Sequence, residues 1–165
     1  MAWGNQKYGT SFWGESTNPE GPAANRKTRA EQEQAELLGT DIKFQGDYSV
    51  TSKGDYVLLE GEKALRQSVL HRLLTKPGEF ATRPTYGVGI RSFVKKPKSP
   101  SNIALLEQRI TDQLGREPRI EEVLNVLVQV IDNGLKVVIS IRASAKALTF
   151  QPFIFTELGE SELDT

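Results

Sequence analysis

Apolar positions recur along this chain with two different periods. Across residues 62–74, Leu65, Val69, Leu70, Leu73 and Leu74 fall on one helical stripe, while Lys63, Arg66, Gln67 and Arg72 lie mostly off it. That spacing predicts an amphipathic helix, stopped by Lys76-Pro77-Gly78. A second helix is expected from Pro100 or Ser101 to Leu114, with Ile103, Leu106, Ile110 and Leu114 as its stripe. Ser99 or Ser101 suits its N-cap, Pro100 its first turn and Gly115 its end. After Glu117-Pro118-Arg119 the period becomes two. Leu124, Val126, Val128 and Val130 share one face of a strand, and Leu135, Val137, Ile139 and Ile141 share one face of the next. Asp132-Asn133-Gly134 between them predicts a tight hairpin, with Asn133-Gly134 as its turn. Upstream, residues 41–44, 48–50 and 55–60 read as short extended segments punctuated by Gly46 and Gly54. Downstream, residues 150–155 are interrupted by Pro152 and read as an edge strand or a docked tail. The class is α+β: a small antiparallel or mixed sheet with two amphipathic helices packed on one face.

Residues 1–39 break from this patterning. Phe12, Leu37 and Leu38 are their only Leu, Ile, Val or Phe, and five glycines interrupt them. So few apolar groups do not offset a backbone ordering cost of about 1–2 kcal/mol per residue. The segment is therefore expected to be an extended arm, in which residues 28–38 have the composition of a short polar helix ended at Gly39. Trp3, Tyr8, Phe12 and Trp13 then stand out: aromatics on such an arm either anchor it in a partner's pockets or fold back on its own domain. The expected organisation is an arm at 1–39, one domain at 40–159 and a short tail at 160–165.

Composition narrows the chemistry. Lysine plus arginine and aspartate plus glutamate both number 21, so bulk charge selects neither nucleic acid nor an anionic membrane. With no cysteine and His71 as the only histidine, thiolate sites, disulfides and ordinary zinc centres are excluded, and no cofactor is expected. The longest apolar run, 123–131, is about half a bilayer span, and the first residues lack the order of a signal peptide; a soluble protein of a reducing compartment is expected. Gly87-Val88-Gly89 is half a dinucleotide fingerprint without the rest. Lys95, Lys96 and Lys98 form a basic connector of the kind that is usually only solvated. Glu60, Glu62 and Glu79 are the carboxylates a glycosidase would draw on, but each sits at a helix start or turn, where no catalytic reason is needed. Glu117-Pro118-Arg119 is more pointed, because proline fixes the backbone between opposite charges. Residue types alone leave it open between an interaction site and an ordinary turn with a weak ion pair.

Taken in order, several motifs resemble one family. Residues 61–67 (Gly-Glu-Lys-Ala-Leu-Arg-Gln) lead into 72–75 (Arg-Leu-Leu-Thr), then Pro77-Gly78-Glu79, then 84–89 (Pro-Thr-Tyr-Gly-Val-Gly), then Glu117-Pro118-Arg119-Ile120. This set resembles the baseplate wedge family of contractile phage tails, once labelled tail lysozymes, with relatives in type VI secretion baseplates. The resemblance implies a structural protein of the virion's tail baseplate, assembled in the host cytoplasm. It would join the wedge core to the first sheath ring and nucleate the sheath by accepting a strand on a sheet edge. Glu117, Pro118 and Arg119 would face a wedge protein, and the hairpin bearing Leu135, Val137, Ile139 and Ile141, or the neighbouring 150–155 segment, would receive the sheath strand. Other wedge proteins, the sheath protein and tube or hub proteins are the implied partners, with no nucleic acid, membrane or small-molecule substrate. A type VI secretion or other injection-machine component is the alternative, and a tail lysozyme the less favoured one. The long aromatic arm departs from the shorter family pattern.

Overall fold

The computed structural model describes residues 29–44, 47–144, 146–156 and 159–162. Trp3, Tyr8, Phe12 and Trp13 lie outside the described residues. Helix α1 (Arg29–Leu38) leads into an antiparallel ribbon of β1 (Thr40–Ile42) and β2 (Leu58–Glu60), prolonged by bridges from Phe44 to Tyr48 and from Val50 to Tyr56. Three helices follow, α2 (Glu62–Leu74), the one-turn α3 (Arg91–Val94) and α4 (Pro100–Leu114). The chain then builds an antiparallel sheet from β3 (Glu122–Ile131), β4 (Gly134–Ala143), β5 (Lys146–Thr149), β6 (Phe153–Thr156) and β7 (Gly159–Glu162). The class is the expected α+β, with α2 and α4 supplying the helical side of the core.

Both long helices form where the apolar spacing places them. Ser99 Oγ accepts from the Asn102 N–H at 3.3 Å, Pro100 occupies the first turn, and Leu106, Ile110 and Leu114 are fully buried. α2 differs in one respect: Gln67 and Arg72, read as off its stripe, are buried with Leu65, Val69 and Leu73. The reason is that α2 is covered on more than one side, by α1, by the β1–β2 ribbon and by α4.

The sheet corrects three expectations. Leu135, Val137, Ile139 and Ile141 are at most 1% exposed, so their shared face lies in the core as expected, and only the edge of their strand was left for a partner. β4, however, is a central strand, with β3 on one edge and β5 and β6 sharing the other. It has no edge to offer. The 150–155 segment is interior too, since β6 lies between β4 and β7. Part of the expected 160–165 tail is instead the edge strand β7, whose Gly-Glu-Ser-Glu sequence has no apolar period and is marked only by main-chain pairing with β6.

The hairpin forms, with two local differences. A register shift at Leu124 breaks the alternation of β3, leaving Leu124 41% exposed while Val128 stays buried. Ile131 pairs with Gly134, so the turn is Asp132-Asn133, and Gly134 already belongs to β4. Glycine is required there for space: a Cβ on Gly134 would lie 2.0 Å from the Phe155 carbonyl oxygen of β6.

Candidate partner-binding site

The Glu-Pro-Arg motif forms a turn between α4 and β3. The Ile120 N–H donates to the Glu117 carbonyl at 2.9 Å, with Pro118 at the second position, where its fixed φ suits the turn. The acid of the motif does not face outward. Glu117 is 8% exposed; Arg72 Nη2 donates to its Oε2 at 2.7 Å and Arg119 Nε to its Oε1 at 2.6 Å. Arg119 Nη1 donates to the Leu38 carbonyl at the end of α1, at 3.2 Å, and the Arg72 guanidinium lies 4.6 Å from the Tyr86 ring centroid. One buried carboxylate thus ties together α2, α1 and the entry to the sheet. Burial alone would raise its pKa, but hydrogen bonds from Arg119 and Arg72, with their charges, outweigh that and hold it below the ordinary carboxylate value.

What remains for a partner is the outer rim of this turn. Pro118 is exposed, and the Arg119 side chain is 27% exposed. With Nε and Nη1 engaged, Nη2 of Arg119 has no partner among the described residues. The turn therefore presents a rigidly held guanidinium edge beside a proline.

The other motif residues interlock behind it. The N–H groups of Val88, Gly89 and Ile90 donate to the carbonyls of Arg72, Thr75 and Leu73 at 2.8–3.0 Å, closing the end of α2. Gly87 makes this approach possible: its φ is +96°, and a Cβ would lie 2.2 Å from the Thr75 carbonyl oxygen. Gln113 fixes the same loop, its Oε1 accepting from the Gly87 N–H at 3.1 Å and its Nε2 donating to the Thr85 carbonyl at 2.9 Å. Gln67 does the equivalent for the ribbon, donating to the Ile42 carbonyl at 2.7 Å and accepting from the Phe44 N–H at 2.9 Å. Sequence reasoning missed Arg72, Gln67 and Gln113 as partners of these motifs. For Arg72 a signal existed, since Leu65, Val69 and Arg72 stand at i, i+4 and i+7.

The carboxylates weighed for hydrolysis occupy local structural positions. Glu79 Oε2 accepts from the Lys76 N–H at 2.8 Å, and Glu62 is exposed in the first turn of α2.

Besides β5, which pairs with β4 alone, the sheet has edges at β3 and β7 that differ in what covers them. Along β3 the Val128 N–H points away from β4 and donates to Glu107 Oε1 of α4 at 2.9 Å, so the helix caps the middle of that edge. β7 is the last strand at the opposite end and has no further strand beside it among the described residues.

Residues 40–146 match the family described as contractile injection system sheath initiators. A chain of the anti-feeding prophage baseplate, solved by cryo-electron microscopy with six-fold symmetrisation, is similar in fold. It superposes with a TM-score of 0.58 at 24% identity, over 69% of this chain and 91% of that one. A Geobacter sulfurreducens protein whose crystal structure carries the provisional name of tail lysozyme gives a TM-score of 0.51 at 26% identity, over 61% of this chain and 94% of that one. No curated protein matches the sequence.

Proposed function

The chain belongs to the contractile injection system sheath initiator family, and from that premise we propose that it joins a baseplate wedge to the first sheath ring by accepting a strand. A structural, sheath-initiating role at the baseplate follows from the family; the wedge, the edge and the residues are our reading. The match over residues 40–146 is the observation that carries it.

β7 is the edge we assign to the sheath strand. β4 is central, and α4 partly covers β3, whereas β7 is short, peripheral and without a further strand beside it among the described residues. An unpaired edge invites strand addition, with main-chain hydrogen bonds supplying the affinity. Two residues connect Thr156 to Gly159, which makes that pair the hydrogen-bonded closing pair of a hairpin, so alternation turns the N–H groups of Glu160 and Glu162 outward. Pro118 and Nη2 of Arg119, which has no partner among the described residues, face a wedge protein in this scheme, with Glu117 holding the arginine in place. Trp3, Tyr8, Phe12 and Trp13 anchor the arm on a neighbouring wedge, tube or hub protein. We place the assembled protein in a virion tail, built in the host cytoplasm, and assign it no hydrolytic step.

Glu160→Pro tests the edge, because it removes an outward donor and leaves the hydrogen bonds of β6 intact. The expected particles have complete baseplates that contain the variant but lack sheath. Ser161→Pro, whose N–H faces β6, should instead loosen β7 itself. Normal sheathed tails with a folded Glu160→Pro variant would rule out strand addition at β7.

A further inference from the structure

Although the chain has no net charge, its cations are not evenly spread. Residues 76–116 hold eight lysines and arginines against three carboxylates, Glu79, Glu107 and Asp112. Two of those three are turned to backbone N–H groups, Glu79 to Lys76 and Glu107 to Val128. The fold gathers five of the cations around two open clefts. One, of about 440 Å³, is lined by Lys76, Arg91 and Lys95. The other, of about 240 Å³, is lined by Arg109 and Arg116. Their walls adjoin, since a Cβ on Gly89 of the first would lie 3.2 Å from Cδ of Pro77, which lines the second. Lys96, next to Lys95 of the first cleft, and Arg109 of the second both approach the Phe93 ring, Nζ at 4.5 Å and the guanidinium at 5.4 Å from its centroid. All six of these cations are exposed, and none makes a salt bridge among the described residues.

Unneutralised like charges on one face repel one another, and a partner bearing carboxylates relieves that repulsion. We infer that the face formed by Lys76, Arg91, Lys95, Lys96, Arg109 and Arg116 binds an acidic polypeptide segment of a neighbouring protein. A polypeptide fits better than a nucleic acid for two reasons. Glu79 lines the first cleft and Asp112 the second, where a phosphate at every nucleotide would meet them and a peptide can place a neutral residue. The three arginines also present planar forks suited to bidentate carboxylates. The face adjoins the Glu117–Ile120 turn, since Arg116 directly precedes it.

The test uses the full chain and a fluorescein-labelled oligo-glutamate of about ten residues, followed by anisotropy as salt is raised past about 0.1 M, where the screening length is about 10 Å. Binding should weaken steeply with salt. Reversing Lys76, Arg91 and Lys95 to Glu, or Arg109 and Arg116 to Glu, should each weaken it by about tenfold or more. Reversing Lys53 and Lys63, which are exposed elsewhere, should change it by less than about twofold. Circular dichroism melting confirms that each variant is folded. The inference is overturned if oligo-glutamate does not bind the wild-type chain, if all reversals, those at Lys53 and Lys63 included, act equally, or if oligo-thymidylate of the same length binds as tightly as oligo-glutamate.

Discussion

Replacing Glu117 by Ala should cost more stability than any other single change in the Glu-Pro-Arg turn. The carboxylate and Arg72 have side chains only 9% exposed, and 2.7 Å separates the paired atoms. Removing the acid leaves the Arg72 guanidinium buried without a counter-charge, a loss of about 3–5 kcal/mol. Against a total of about 5–15 kcal/mol for a domain, that lowers the melting temperature by about 6–20 °C. Arg72→Ala should fall in the same range, since it also loses the stack on Tyr86. Arg119→Ala should cost about 1 kcal/mol, because its side chain is 27% exposed and water compensates for the lost partner. The order Glu117 and Arg72 well above Arg119 is the informative result, read by urea unfolding followed by circular dichroism. The pH dependence has a definite sign. Glu117 titrates below the ordinary carboxylate value in the folded state, so its contribution is fully present above the unfolded value. It is lost as pH falls through the lowered folded value. The gap between wild type and Glu117→Ala should therefore be constant near neutrality and narrow in acid. An Arg119→Ala variant as unstable as Arg72→Ala, or a gap that widens in acid, would refute the reasoning.

Three further outcomes are expected. Gln113→Leu should cost about 1–3 kcal/mol by stranding the Gly87 N–H and the Thr85 carbonyl, with faster amide exchange confined to residues 85–90. Gly134→Ala should destabilise the domain at the β4–β6 contact, where the new methyl meets the Phe155 carbonyl oxygen; unchanged urea unfolding would contradict this. Trp3→Ala with Trp13→Ala should leave the melting temperature unchanged and reduce the chain's incorporation into baseplates, measured by quantitative blotting of purified particles.

Local patterns in the sequence were enough for the elements and much less so for their neighbours. α2 and α4 are legible because their apolar spacing and their stop and cap residues agree, and β4 because Leu135, Val137, Ile139 and Ile141 alternate without interruption. That same alternation says which side of a strand is buried and nothing about how many strands lie beside it. Hence β4 looked like an edge and is a centre. The one-residue shift at Leu124 is equally silent, because a bulge depends on partner register rather than composition. At the candidate site, Glu117, Pro118 and Arg119 were legible as a unit. The direction of Glu117 was not, because its second partner, Arg72, is 45 residues away in the chain. Gln67 and Gln113 were invisible for a similar reason: a glutamine inside a helix reads as solvated until a loop is laid against it.

The most direct test of the central claim is to assemble particles from a genome or operon lacking this chain and to image them by electron microscopy. The account predicts tubes on baseplates without an ordered sheath, with sheath restored by adding back the wild-type chain. Extended sheaths of normal length on baseplates that lack the chain would contradict it.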